Sequence, residues 1–431
     1  MLQRGDKKLI NAWAFYDWAN SVYSLAISTA IFPLYYGEVT KDKVVSFLWT
    51  EWEHPDSLYS YALSFSFLIV AIISPILSGI ADYTGNKLKF LKVFCLLGSL
   101  SVMALYFFDS YENTWIGIVF SILASIGFWG SLVFYNAYLP EVAHPEQQDA
   151  VSAKGFIYGY FGSVLLLIVN LIMIMKPELL GITAGMASRI SFIMIGLWWI
   201  GFAQITFRRL PNNVYNRKPG KDYIWKGLRE LKIVAKELND YPQLKMFLIS
   251  FFLLSVGVQT IILMAAIFGS NELGLPSSSL IVTIILVQIV AIFGAAIFSR
   301  ISRAFGNIKA LKITLAIWTV VCFLAFLLDK NQENVDIYFY GLGGLLGLVQ
   351  GAIQSLTRST YSKLLPETQD HATYFSFYDV TEKIAIVLGT FVFGFLIAIT
   401  NSMQWSVLFL AIFFLASFIV LSFVKKTKYV S

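Results

Sequence analysis

Asp17, Arg358, Asp379, Glu382 and Lys383 stand in stretches otherwise built from apolar side chains. A charge at a bilayer centre costs about 2.5–3.5 kcal/mol on insertion scales, so such residues persist where they face a cavity or one another. At about 1.5 Å of rise per residue, Asp17 lies roughly 10 Å, Arg358 roughly 12 Å and Asp379 roughly 13 Å from one face, with Glu382 and Lys383 deeper. Asp379 and Lys383 are four apart and share a helix face. Gln350, Gln354 and Arg358 repeat at that spacing as a polar stripe, beside Gly347 and Gly351, whose small faces permit close helix packing. With Tyr16, Trp18, Asn20 and Asn136, this set is expected to line a central cavity. Two chemistries fit. Asp17 or Asp379 serves as a proton acceptor in a relay. Arg358 and Lys383 hold an anionic group, so that the cluster binds both ends of a zwitterion, or they tune the carboxylates by proximity. The competing reading is a static clasp between helices, and for Asn136 and Gln259 the two readings weigh equally.

No other chemistry announces itself. Cys95 and Cys322 both lie in apolar spans, which is neither a disulfide framework nor a metal site. His54, His144 and His371 fall in loops or at helix ends and read as solvated residues. The chain has no G-x-G-x-x-G, no phosphate-binding loop and no His-x-x-x-His pair, so no metal and no cofactor is expected, with the proton as coupling ion.

The elements that must hold these residues are membrane helices. The chain is 57% hydrophobic and 13% charged, and a soluble core could not hide so much apolar surface. Its aromatic share of 16% suits interfacial belts, and the pair Trp198–Trp199 reads as such an anchor. The net charge of +6 does not point to nucleic acid, because the basic residues fall between apolar spans. Twelve spans are predicted: 10–36, 58–81, 88–108, 113–139, 152–175, 187–208, 243–269, 278–300, 308–328, 336–361, 372–399 and 403–424. The first is read as a retained helix and not as a signal peptide, since Asp17 and Asn20 interrupt it and no small-residue cleavage site follows.

With the N-terminus placed in the cytosol, 26 of the 32 Lys and Arg residues fall on the cytosolic side. Both termini are therefore expected there, in a multi-pass protein of the inner (plasma) membrane. The longest connection divides the chain into a six-helix bundle at 1–208, a cytosolic linker at 209–242 and a second six-helix bundle at 243–431. In the linker Ile224, Leu228, Leu231, Ala235 and Leu238 recur at helical spacing opposite Lys226, Arg229, Lys232 and Lys236, as in an amphipathic helix that keeps the halves in register.

The halves echo one another. Gly85-Asn86-Lys87 returns as Gly306-Asn307-Ile308-Lys309, and Tyr138-Leu139-Pro140-Glu141 as Leu364-Leu365-Pro366-Glu367. Cys95 and Cys322 stand at a similar offset. Two parallel six-helix repeats enclose a site near the midplane in transporters built this way.

The stretch Gly79-Ile80-Ala81-Asp82-Tyr83-Thr84-Gly85-Asn86-Lys87-Leu88-Lys89 resembles the signature loop between helices 2 and 3 of the major facilitator superfamily. The resemblance implies that a small residue, Gly79, lets helices pack, that Asp82 pairs with a cation across the interface between the halves, and that Gly85 makes a tight turn ahead of Lys87. Tyr83 stands where that pattern commonly has Arg. In the second half Arg303 occupies the place of the Asp, which would make the latch lopsided. Ala14-Phe15-Tyr16-Asp17-Trp18-Ala19-Asn20-Ser21, Phe134-Tyr135-Asn136-Ala137-Tyr138-Leu139-Pro140-Glu141, Gly159-Tyr160-Phe161-Gly162, Gly347-Leu348-Val349-Gln350-Gly351-Ala352-Ile353-Gln354-Ser355 and Phe377-Tyr378-Asp379-Val380 are similar to the vacuole-effluxer-like branch. That resemblance covers nearly the whole chain. It implies an all-α integral membrane protein of the major facilitator fold, with twelve transmembrane helices in two pseudo-symmetric six-helix bundles. Eukaryotic members of the branch are implied in exporting amino acids from the vacuole. Asp379 and Glu382 depart from the pattern, which has uncharged residues there.

The expectation is thus a secondary transporter of a small polar or zwitterionic solute, amino acids among the candidates, coupled to protons and working by alternating access. Its partners would be the solute and the lipid bilayer, with no nucleic acid, and the chain would act as a monomer. A membrane enzyme acting on lipid-linked substrates is disfavoured, because no acid–base or metal set clusters at an interface. A channel or a non-transporting sensor is disfavoured because one chain already supplies two pseudo-equivalent halves.

Overall fold

The computed structural model describes residues 3–212, 232–234 and 236–425. Among the described residues twelve long helices follow one another. The first, α1, runs Lys7–Val22, widens into a π-helical stretch at Tyr23–Ala30 and continues as Ile31–Thr40. The first half is completed by α2 (Pro55–Thr84), α3 (Lys87–Ala104), α4 (Thr114–Ala137), α5 (Gln148–Met175) and α6 (Ala184–Phe207). The second half comprises α7 (Pro242–Ile267), α8 (Ser277–Phe305), α9 (Asn307–Phe326), α10 (Val335–Leu364), α11 (His371–Thr400) and α12 (Met403–Ser422). A short hairpin, β1 (Val45–Phe47) against β2 (Thr50–Trp52), fills the connection between α1 and α2. The sequence reading held no strand. Most of the expected linker helix, including Ile224, Leu228, Leu231 and Ala235, lies outside the described residues.

Ten of the helices are long and apolar enough to cross a membrane by length and composition. The two that fall short, α1 and α10, carry the polar residues singled out above. Asp17 and Asn20 dilute one, and Gln350, Gln354 and Arg358 the other. The widening of α1 has a local cause. Pro33 has no N–H to donate and its ring crowds the preceding turn, and the chain upstream adopts longer-range bonds. Ile31 donates its N–H to the Ala26 carbonyl, and the Thr29 hydroxyl donates to the Ser24 carbonyl at 2.9 Å.

Large apolar side chains remain exposed along the outside, among them Phe65, Leu68 and Ile72 of α2 and Phe391 and Phe395 of α11. Apolar surface on this scale belongs against lipid tails. Inside, small residues let backbones meet. A Cβ on Gly347 or Gly351 of α10 would strike the backbone of Val287 or Ala291 on α8. Across the halves, α2 packs against α11 and α5 against α8 and α10. The face on which α1 begins and α12 ends is called the terminal face below.

Candidate functional site

Asp17 on α1 and Arg358 on α10 are both buried and meet across the two halves, with Arg358 Nη1 3.2 Å from Asp17 Oδ2. Arg358 has five N–H donors, and all five are used. Nε donates to Ser152 Oγ at 2.9 Å and Nη2 to the Ser152 carbonyl at 2.8 Å. Nη1 and Nη2 both donate to Asp17 Oδ2, and Nη1 donates also to Asn136 Oδ1 at 3.3 Å. Tyr135 Oη completes the carboxylate's partners, donating to Oδ2 at 2.7 Å. The guanidinium lies over Trp13, Tyr135 and Phe156, with Phe156 nearest at 4.1 Å from the ring centroid. Cation–π contact of this kind is strongest where water is excluded. Gly155 makes the approach possible, since a Cβ there would collide with Asp17 Oδ2.

A second ionic cluster sits on α11. Lys383 Nζ lies 3.0 Å from Asp379 Oδ1 and 3.2 Å from Glu382 Oε2. It also stands over the ring of Trp129, a residue of α4 in the other half, at 3.6 Å. Gln259 Nε2 of α7 donates to Glu382 Oε1 at 2.7 Å. The second oxygen of Asp379 is buried with no hydrogen-bond partner.

Between the halves lies a cavity of about 300 Å³. Asp17, Asn20, Asn136, Gln350, Gln354 and Arg358 line it. So do Gln259, Glu382 and Tyr160, the last donating to Gln354 Oε1 at 2.6 Å. The lining continues to Thr29 of α1 and Leu280 near the start of α8, so the cavity extends away from the terminal face. Both amide atoms of Asn20 lack partners. Among the described residues no group of three or more metal-ligating side chains forms.

The family model of the Atg22-like vacuole effluxers matches residues 5–429. The chain belongs to this family. The MFS-type transporter YxiO of Bacillus subtilis (strain 168) is 32% identical, over 96% of this chain and 94% of that one. Autophagy-related protein 22-1 of Penicillium rubens is 24% identical, over 78% of this chain and 69% of the relative. Among solved structures, the major facilitator superfamily transporter FucP in its outward conformation superposes with a TM-score of 0.69 at 14% identity, covering 97% of this chain and 98% of that one. The proton:xylose symporter XylE bound to 6-bromo-6-deoxy-D-glucose gives 0.69 at 14% identity, covering 98% and 96%. The effluxer-like chain is thus a multi-pass secondary transporter of the major facilitator fold and not an enzyme.

In this member of the effluxer family the terminal face is closed by contacts between the halves on two sides, one around Asp82, where His371 also meets Glu141 at 3.0 Å, and one around Asp149. Gly85 ends α2 at φ 67°, a left-handed conformation glycine adopts without strain, and Asn86 N–H bonds back to the Ala81 carbonyl. Gly79 is buried in the penultimate turn of α2, and Lys87 opens α3 and pairs with Glu141. Asp82 accepts from the backbone N–H groups of Ala372 and Thr373 at 3.2 and 2.7 Å, so it caps α11 of the other half. Its cation, Lys87 at 3.6 Å, comes from its own half. The cross-half partner is therefore a helix N-terminus, whose free N–H groups and positive end do what a basic side chain was expected to do. On the other side Arg303 is exposed and takes no part. Asp149 at the start of α5 supplies the carboxylate, accepting from Ser302 Oγ at 2.8 Å and Asn307 Nδ2 at 2.8 Å and pairing with Lys363 at 2.7 Å. The expected lopsided latch is instead two latches with the acid on opposite members.

Four of the residues expected in the cavity lie outside its lining. Tyr16 is buried against Tyr135 and Phe207. Trp18 stacks with Phe15, Phe161 and Trp198, and Trp198 Nε1 donates to its carbonyl, so this indole pairing anchors α1 to α6. Asp379 and Lys383 are buried behind Glu382, which faces the cavity in their place. One residue along a helix turns a side chain by about 100°, which separates Glu382 from Lys383. The sequence reading passed over Tyr135, Ser152 and Trp129, whose small or aromatic side chains carry no charge to mark them. It also passed over Asp149, although Asp149 is the second residue of α5 and an acidic residue at a helix start.

Proposed function

We propose that this transporter moves a small zwitterionic solute of the amino-acid class, coupled to protons, by rocking of the two halves about the cavity. The observation that carries the proposal is the cavity itself. It is lined from both halves by amides and by carboxylates and is closed at the terminal face by two latches, a helix cap at Asp82 and an ion pair at Asp149. A volume near 300 Å³ lies at the small end of ligand sites. Unpartnered amide atoms on Asn20 suit a polar solute. The terminal face is the cytosolic face of the inner membrane by its basic residues, which makes this conformation open toward the outside. The segment 209–242 then serves as a cytosolic connector between bundles 1–208 and 243–431, and one chain with its own two halves works as a monomer.

The test is purified protein screened with the twenty amino acids, short peptides, sugars and nucleosides for thermal stabilisation at two pH values. A ligand that binds only the folded state raises the midpoint by mass action. An amino acid should stabilise the protein and exchange across liposome membranes, and a pH gradient should drive its accumulation. Stabilisation by sugars or nucleosides alone would overturn the solute class. Exchange without accumulation under a pH gradient would overturn the coupling.

A further inference from the structure

The two buried ionic clusters differ in charge. Asp17 and Arg358 are one acid and one base, and every guanidinium donor is occupied. Asp379, Glu382 and Lys383 are two acids and one base, so one negative charge is left over when all are ionised. The charged and titratable groups around that surplus are few. On α11 itself they are Asp379, Lys383 and Tyr378, whose hydroxyl donates to Thr357 at 3.1 Å. From α10 comes Arg358, already committed to Asp17. The neighbours contributed by α7 and α4, Gln259 and Trp129, carry no charge, and α12 has no charged residue along Met403–Ser422. The stretch of α2 between Asp56 and Asp82 has none either. An uncompensated charge in a low-dielectric interior is costly, and a cation arriving from the cavity would relieve it.

We propose that Glu382 is the residue that carries the coupling proton, a role that rests on the proton-coupled reading above and assigns it to one side chain. Of the three carboxylates near the cavity, Glu382 alone both faces it and belongs to the unbalanced cluster, with 17% of its side chain exposed. Asp17 faces the cavity but its Oδ2 is held by three donors. Asp379 lies behind, paired with Lys383. The ligand is a proton and not a metal cation for a chemical reason. Alkali and alkaline-earth ions are bound by oxygen atoms, whereas the partners presented to Glu382 are N–H donors, Gln259 Nε2 on one oxygen and Lys383 Nζ on the other. When a proton from the cavity adds to a Glu382 oxygen, the carboxylate charge is cancelled and the cluster becomes neutral. Lys383 then keeps Asp379, whose second oxygen is free to accept. Because the same ammonium stands over Trp129 of the other half, the change in its partners is felt at the contact between α4 and α11. Protonation is thereby linked to the interface that must open during transport.

The experiment reads charge movement, so it does not need the solute. Protein in liposomes on a solid-supported membrane is given a rapid drop in pH without solute, then a rise in Na⁺ at constant pH. The wild type should give a transient current on the pH step and none on the Na⁺ step. Glu382→Gln should bring the pH-step current down to that of empty liposomes. Glu382→Asp, which keeps a carboxylate, should retain it, and Glu112→Gln on an exposed loop serves as the surface control. Correct folding of each variant is read independently from its melting curve. A wild type with no pH-step current, a current that survives in Glu382→Gln, or a current driven by Na⁺ would each overturn the assignment. Exchange of a radiolabelled amino-acid pool by Glu382→Gln separates this inference from the solute reading. Exchange retained with accumulation lost supports the proton role. Absence of exchange in the wild type counts against the amino-acid reading while leaving the pH-step result to decide on Glu382.

Discussion

The clasp at Arg358 and the cluster at Lys383 are built from the same parts and solve opposite problems. Both place a basic side chain from the second half against aromatic residues of the first, Phe156 in one and Trp129 in the other. At Arg358 the charges cancel and every donor finds an acceptor, so the arrangement gains nothing from a further ion. At Lys383 the charges do not cancel and one carboxylate oxygen has no partner. A balanced, saturated pair in a low-dielectric setting acts as structure, because removing either member leaves a charge without compensation. An unbalanced one acts as chemistry, because its energy depends on whether a cation is present.

The comparison breaks most visibly at Arg358. Arg358→Ala leaves Asp17 buried without its base, and loss of one partner from a buried pair costs about 3–5 kcal/mol. The melting midpoint in detergent should fall by more than for Gly155→Ala, Asp82→Ala or Glu382→Gln. Asp17→Asn combined with Arg358→Ala should be less damaging than the sum of the single changes, since residues in contact do not add. Strict additivity would show that the two side chains do not interact and would remove the balanced half of the comparison.

How much of this was open to the sequence varies with the kind of force involved. Ten of the twelve helices were legible because lipid demands long apolar runs, α1 and α10 were legible despite the polar residues that dilute them, and the turn at Gly85 was marked by the resemblance of its loop to the family signature. The pairing of Asp379 with Lys383 followed from a spacing of four. The orientation of Glu382 did not, since spacing places residues on faces only relative to one another, and which face meets the cavity is decided by packing against α7 and α4. The latches show the same limit. Asp82 was marked by a motif, but its partner is a set of backbone N–H groups that no side-chain pattern reveals. In the second latch the pseudo-symmetric position holds Arg303, and the acid moved across the interface to Asp149. Sequence repeats preserve which helices meet more faithfully than which of them bears the charge.

A smaller loss is expected at Gly155. The clasp needs α5 close to α1, and Gly155→Ala would push a methyl group into Asp17 Oδ2. Overpacking of this kind typically costs about 1–3 kcal/mol. The melting midpoint should fall between those of wild type and Arg358→Ala, and a midpoint equal to wild type would mean that the clasp has slack. Next comes Asp82→Ala, which removes the cap of α11 at a cost near 1 kcal/mol. Here stability is less telling than opening. A cysteine placed at Thr357, on the cavity wall, should react faster with a membrane-impermeant reagent added from the terminal face once the cap is gone. Cys95 and Cys322 are fully buried and give a low background. Unchanged labelling would show that the Asp149 latch and the Glu141–His371 contact hold that face closed without the cap.

The smallest effect on stability is expected where the effect on function is largest. Glu382→Gln removes the surplus charge while keeping the shape of the side chain and an oxygen able to accept from Gln259 or Lys383. Repulsion between Glu382 and Asp379 is lost together with one charge-assisted bond, and the two changes oppose each other. Lys383 retains Asp379, so no buried charge is orphaned, and the net change should stay at about 1 kcal/mol or less. Melting curves of Glu382→Gln and Arg358→Ala measured side by side test the contrast directly. If Glu382→Gln melts as low as Arg358→Ala, the α11 cluster is a second clasp, and its extra carboxylate is needed to hold Lys383 over Trp129.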